Sequence, residues 1–425
     1  MTRIARIALR ISLLLLLHVG AAFAELPDFV THADPATRWV KTSDGSSRGA
    51  RVLEIELTSQ TWRGSPWRHP LTIIRPESVR HPDLALLVVS GDARRSFVDE
   101  AALATAAGVP VAVLRNVPNQ PLFGRSEDEL VSHTFEQYVW SEDPTWPLLF
   151  PMTKAALAAM DAVVDVARRE WGGDVRRFVV SGASKRGWTA WLAAAADRRV
   201  AGVVPVVFDN LSFPDQMKNQ IAIWGRYSEM LGDYTERKLQ AMIGTERGRK
   251  LVSMVDPFAY RDVLARVPKL IVSGTNDPYW ELDAVNIGWA GLAGQKSLLY
   301  APNAGHDAGS DDRVAGTIAT FVERTAVSRP LPDLRLEGAS PTTVVVRSNE
   351  HPQQVRVWRA ESPSRDFRRA RWKSTAARAG DGGFTAELAP PDGGYVATFG
   401  EAEYAANGTK LTLSTPVEIV PIAPR

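Results

Sequence analysis

Phe178-Val-Val-Ser-Gly-Ala-Ser184-Lys-Arg-Gly187-Trp-Thr-Ala-Trp-Leu192 is the stretch that decides the fold. It opens as a short apolar run, of the kind that forms a strand buried in a sheet. After Gly182 it becomes an Ala-rich helical pattern that runs from Gly187 to about Asp197. Between the two lies Gly182-x-Ser184-x-x-Gly187. A strand that turns sharply into a helix with serine at the apex is a nucleophile elbow. Such a turn holds the serine in a strained backbone conformation and demands small neighbours. The usual spacing is G-x-S-x-G; here the second glycine sits one place late, with Arg186 in the tight position. The competing reading of the motif alone is a glycine-rich connection with a helix-capping serine.

Working outward, the chain has 425 residues, room for two or three domains. Arg3, Arg6 and Arg10, the Leu-rich run Ile11–Val19 and the small residues of Ala22-Phe-Ala24 have the form of a cleaved export signal over 1–24. The apolar run is short for a bilayer span, so no stable membrane insertion is expected. Lys+Arg number 50 and Asp+Glu 48; without the leader's three arginines the acids are one in excess, and the basic pI carries no message about nucleic acid. There is no cysteine, which excludes disulfides, thiolate metal sites and a cysteine nucleophile. Leader and composition together point to a bacterial periplasmic or extracellular protein.

Val52–Thr58 and Trp67–Arg75 alternate in polarity and predict a hairpin at a sheet edge, after a polar lead-in. His69 and His81, each before proline, are expected at the surface. Leu84–Val89, a helix over about 97–107 and Val109–Leu114 form a βαβ unit, which predicts a doubly wound α/β sheet. Residues 115–150 break the rhythm and read as an irregular, aromatic, substrate-facing loop or packed connection. Pro151–Trp171 is an amphipathic helix, and Gly202–Phe208 a buried strand. A helical cap is expected over about 211–262, then strands at 268–273 and 295–300 and a last helix over 312–324. Beyond a proline-rich linker at 329–332, short strands with regular spacing predict a β-sandwich over 333–425. Its basic run Arg365–Lys373 reads as a solvated strand face, with no stacking platform for nucleic acid.

A serine nucleophile needs a base and a carboxylate to orient that base. Of seven histidines, only His306 follows Ser184 within the 25–328 α/β domain, in a loop just past the last predicted strand. That is the chain order the fold requires. Two acids are candidates. Asp277 lies in the Gly-x-x-Asp turn after the 268–273 strand, and Asp209 ends the strand after the elbow helix. The Gly-x-x-Asp placement favours Asp277. Expected oxyanion donors are the backbone N–H of Lys185 and that of Gly91 or Asp92, after Leu84–Val89.

Asn116-Val-Pro-Asn-Gln-Pro-Leu, Ser132-His-Thr-Phe, Thr145-Trp-Pro-Leu-Leu, the elbow, Gly274-Thr-Asn-Asp and Asn303-Ala-Gly-His together resemble the PhoPQ-activated pathogenicity-related family. That resemblance spans most of the mature chain and implies an exported α/β-hydrolase-fold protein with a C-terminal β-rich segment. The elbow alone is also similar to that of glucuronoyl esterases, where a basic residue follows the serine. The expectation is an exported serine hydrolase acting on an ester, amide or peptide bond through Ser184, His306 and Asp277. Its substrate would be a small molecule, glycan ester or peptide, with no metal or organic cofactor. The rival is a secreted binding or signalling protein on the same fold without turnover.

Overall fold

The computed structural model describes residues 26–91, 99–337, 340, 342–380, 382–406 and 408–423. The leader, Asp92 and the first two residues of the helix expected over about 97–107 therefore lie outside the described residues, and the helix described there runs from Glu100 to Ala107. The strands of the main domain are β1 (Arg38–Ser47), β2 (Ala50–Trp62), β3 (Ser65–Pro76), β4 (Leu84–Val89), β5 (Val111–Leu114), β6 (Arg177–Ala183), β7 (Val200–Val206), β8 (Lys269–Gly274) and β9 (Lys296–Ala301). Their spatial order is β1-β2-β3-β5-β4-β6-β7-β8-β9. From β5 to β9 every neighbouring pair is parallel, and β1–β3 join β5 as an antiparallel meander.

Side-chain alternation assigns the two faces. Ala85, Leu87 and Val89 of β4, with Phe178 and Val180 of β6, pack in one cluster. Leu84, Leu86 and Val88, with Val179, pack in the other. A strand buried on both faces must be apolar at every position, which is why Leu84–Val89 reads as a continuous run. Helices Leu149–Trp171 and Lys185–Ala196 cover the first face. Helices Glu100–Ala107 and Asp312–Ala326 cover the second. Each large aliphatic side chain so buried contributes about 1.5–3 kcal/mol. This is the α/β-hydrolase arrangement. The order in which successive strands are added reverses at β4, with β5 on one side and β6 on the other, and the crevice beyond the strands' C-terminal ends is where ligands bind in such sheets.

Between β7 and β8 the chain leaves the sheet and forms helices Phe213–Trp224, Leu239–Met242 and Glu246–Val255 with intervening short turns. The C-terminal strands form two antiparallel layers. Thr409–Ser414 pairs with β9 at Ser414–Leu298, and Gly394–Ala406, Gln354–Ser362 and Lys373–Ala376 extend from it. A separate four-stranded sheet, with Thr343–Ser348 and Gly383–Glu387 at its centre, shares a core with them through Val344, Val346, Val355, Val357 and Ala402.

Three expectations are corrected. Residues 127–141 are helical, not an irregular loop. Leu130, Val131, Thr134, Phe135, Tyr138 and Val139 form the buried face, at helical spacing interrupted by charged residues. The basic run Arg365–Lys373 is not a solvated strand face. It is largely a loop in which Phe367 and Trp372 are buried. His69 is not at the surface; with Trp67, Leu71 and Ile73 it lies on the inward face of β3, fully buried. Its Nε2 meets Ser59 Oγ at 3.1 Å, and its Nδ1 lies 3.1 Å from the carbonyls of Arg115 and Asn116.

Burial pushes the His69 imidazole down to about 4 from its ordinary 6.5. The unfolded chain therefore binds the extra proton first as pH falls. The neutral imidazole's contribution is complete above pH 6.5 and is lost between 6.5 and 4. Relative to His69→Gln, the wild type is expected to lose on the order of 3 kcal/mol across that window, measured by urea unfolding of both proteins at pH 7 and pH 4.

Candidate active site

Ser184 follows β6 and precedes the helix Lys185–Ala196, with φ 57° and ψ −129°. A non-glycine residue held there costs about 1–3 kcal/mol, so its surroundings must enforce it. Ser184 N–H donates to Val206 O at 2.8 Å, and Ser184 O accepts from Trp188 N–H at 3.1 Å. These bonds pin the turn between β7 and the helix. A Cβ on Gly182 would lie 2.5 Å from Arg186 O, and one on Gly187 would lie 3.0 Å from Gly182 O and 3.1 Å from Phe208 Cβ. Gly182 is therefore required by the close approach of helix to strand, while at Gly187 a side chain would press on its neighbours, which favours glycine at this late position. Arg186 fits because its side chain runs across Gly91, where a Cβ would lie 2.0 Å from Nη2. Its Nε donates to Val117 O, and Nη1 and Nη2 donate to the two oxygens of Glu127 at 2.7 and 2.6 Å.

Asp277 follows β8 and His306 follows β9, so three loops at one end of the sheet supply the cluster. His306 Nε2 lies 2.8 Å from Ser184 Oγ, and Nδ1 lies 2.7 Å from Asp277 Oδ2. The carboxylate accepts only, so Nδ1 carries the proton and Nε2 presents a lone pair to the serine hydroxyl. The other oxygen of Asp277 accepts from Tyr279 N–H at 2.8 Å, and the Tyr279 ring lies over the imidazole with centroids 4.1 Å apart. Asp209 is buried nearby without a hydrogen bond to His306. Burial, reinforced by the Asp277 charge, pushes its carboxyl up to about 7. It thus favours the neutral form in acid, a poor counter-ion for an imidazolium.

Lys185 stands at the first helical position, where backbone N–H groups have no intrahelical acceptor. Its side chain is turned away. Nζ lies 2.8 Å from Glu127 Oε2 and 3.4 Å from Asp128 Oδ1. Burial opposes ionisation of Glu127, but its bonds to Arg186 and the charges of Arg186 and Lys185 outweigh it and hold the carboxyl well below the usual range. Gly91 reaches the elbow, as the Arg186 approach shows. Asp92, the other expected donor, lies outside the described residues. Among the described residues no group of three or more His, Cys, Asp or Glu side chains is arranged to hold a metal.

Sequence reasoning missed the bracing of the acid and histidine loops. Asn276 Nδ2 donates to Ala370 O at 2.8 Å and reaches Phe367 O and Arg368 O at 3.3 and 3.2 Å. Asn303 pairs with the Trp372 backbone through both amide groups, at 2.8 and 3.2 Å. The two loops also bind each other: Asn276 N–H to Ala304 O at 2.9 Å, and Asn303 N–H to Thr275 Oγ1 at 2.8 Å. The signal was available as asparagines flanking both predicted catalytic residues, but their partners lie in the C-terminal segment.

With this geometry in hand, the family model of PhoPQ-activated pathogenicity-related proteins matches residues 26–368. The chain belongs to that family. It is also similar to the autocrine proliferation repressor protein A of Dictyostelium discoideum, at 30% identity over 97% of this chain and 94% of that protein. Among solved structures it is similar to acetyl xylan esterase 1 of a Thermoanaerobacterium species, with 17% identity, TM-score 0.47, and coverage of 69% of this chain and 88% of that one. A glucuronoyl esterase of Solibacter usitatus is similar at 14% identity and TM-score 0.46, covering 71% and 88%. In this PhoPQ-related chain, Gly182→Ala forces a methyl group against the Arg186 backbone. The expected cost is about 2 kcal/mol or more, read as a lowered urea midpoint.

Proposed function

We propose that this protein is an exported serine hydrolase that cleaves an ester bond, with amide or peptide bonds open to the same machinery. The observation that carries the reading is the unbroken contact chain from Ser184 Oγ through the His306 ring to Asp277, at 2.8 and 2.7 Å. His306 Nε2 takes the hydroxyl proton as Oγ attacks the acyl carbon. The carbonyl oxygen becomes an oxyanion, for which the backbone N–H groups of Lys185 and Gly91 are the proposed donors. The same proton passes to the leaving oxygen as its bond to carbon breaks. Water, deprotonated by His306, then releases the acid and restores Ser184. Asp277 holds the ring in the working tautomer and stabilises its charge. Asp209 is assigned no step.

Export rests on the leader over 1–24. Among the described residues no helix is long and apolar enough to cross a membrane. The substrate is a small molecule, glycan ester or peptide.

A second reading takes its support from the Dictyostelium relative, whose name describes a proliferation repressor. On that reading the chain is a secreted signalling or binding protein that keeps the fold without turnover.

Ser184→Ala is expected to lower kcat for p-nitrophenyl esters by about 10⁴-fold or more while leaving the thermal midpoint essentially unchanged. Wild-type turnover in that variant rules out Ser184 as nucleophile; a wild type inert toward every ester and peptide supports the signalling reading. Asn276→Ala, which removes the acid loop's side-chain bonds to the carbonyls of Phe367, Arg368 and Ala370, is expected to lower kcat about tenfold or more with KM nearly constant. Steady-state kinetics on the same esters separates that loss from a loss of substrate affinity.

A further inference from the structure

Beside Ser184 the segment between β7 and β8 closes over a cavity of about 110 Å³. Trp188, Phe208, Leu231, Tyr234, Leu251 and Val255 form much of its wall. Trp188 is fixed there. Its ring stacks on Phe208 with centroids 5.0 Å apart, meets Phe213 edge-on at 5.1 Å, and its indole N–H donates to Val255 O. With that N–H engaged, the indole offers the cavity only carbon. Asp128 also reaches the wall, but its oxygens already accept from the hydroxyls of Tyr234 and Tyr279, at 3.1 and 3.3 Å. Its charge is met by Lys185 Nζ at 3.4 Å. The cavity is therefore a predominantly apolar recess next to a nucleophile candidate.

Which part of an ester enters it follows from proton transfer. The leaving oxygen must come within reach of His306 Nε2 to receive its proton. Ser184 and Lys185 line the cavity, whereas His306 and Asp277 do not. The leaving group thus lies on the imidazole side, and the group that stays on the carbonyl carbon points into the recess. We infer that this cavity is an acyl subsite and that the preferred substrates are esters of apolar carboxylic acids with roughly four to six carbons. This rests on the serine-hydrolase reading above. The size follows from comparison with apolar protein cavities: one of about 150 Å³ admits benzene, and this one is somewhat smaller. Oγ forms its bond to the acyl carbon, the bond to the alcohol oxygen breaks, and the retained chain stays in the recess until water releases it as the carboxylic acid.

The test uses the full mature chain and two substrate series. In one, p-nitrophenyl esters run from acetate to decanoate. In the other, butanoate is held fixed while the alcohol lengthens from methanol to octanol. kcat/KM is expected to rise about fourfold per methylene from acetyl to the butanoyl–hexanoyl range and to fall beyond it. The alcohol series stays nearly flat. Leu251→Ala, which enlarges the recess, moves the acyl optimum to longer chains, and Leu231→Phe moves it to shorter ones. If Leu231→Phe fails to fold, the Leu251→Ala shift alone decides. A Ser184-dependent activity that is flat across the acyl series, best on acetate, or selective only in the alcohol overturns the subsite and leaves the hydrolase reading standing. Absence of turnover on every ester overturns the subsite, and inertness toward peptides as well overturns the hydrolase reading with it.

Discussion

The backbone at Ser184 is the constraint on which the site depends. A serine at φ 57° is unfavourable in isolation, and it persists here because β7 binds its N–H while the following helix presses onto Gly182. The strain aims the hydroxyl out of the sheet's end toward the loops after β8 and β9. Arg186 adds a demand that the usual spacing does not carry. A long side chain in the tight position needs somewhere to go, and Gly91 leaves it a path to Val117 and Glu127. The elbow thereby ties Gly91, Val117, Glu127 and Ser184 together in one packed unit.

The other half of the site is braced from outside the α/β domain. The Asp277 and His306 loops bind each other and are both bonded to backbone groups between Phe367 and Trp372. Arg368 extends the same brace toward the helices between β7 and β8, stacking its guanidinium 4.1 Å from the Trp224 ring and pairing with Glu229 at 3.2 Å. The C-terminal segment therefore has a physical link to the geometry of the Asp277 and His306 loops. Sharing a sheet with β9 through Thr409–Ser414 places that loop within reach.

The parallel sheet was legible because strands buried on two faces leave continuous apolar runs, and helices over them leave stripes. The candidate serine and histidine could be paired from the sequence too, since five of the seven histidines precede Ser184 and His351 lies in the C-terminal strands. The Gly-x-x-Asp turn favoured Asp277 over Asp209, but order along the chain carries no distance; in the fold Asp277 meets the imidazole and Asp209 is buried nearby without a bond to it. β1 escaped notice because all but one of its residues are exposed, so it carries no apolar alternation, and it is held to β2 by the backbone ladder and the Arg51–Asp44 ion pair. His69 escaped for a different reason. Its parity with Trp67, Leu71 and Ile73 marked it as inward-facing, but the adjoining proline suggested a turn. The loop partners of Asn276 and Asn303 lie far along the chain, and no local pattern encodes them.

Labelling with a fluorophosphonate, which reacts far faster with an activated serine than with an ordinary hydroxyl, tests the central claim most directly. After digestion and mass spectrometry, the account predicts one stoichiometric adduct, on the peptide carrying Ser184, and its loss in a His306→Ala protein. No adduct on the folded wild type, or an equal adduct without the imidazole, would contradict it.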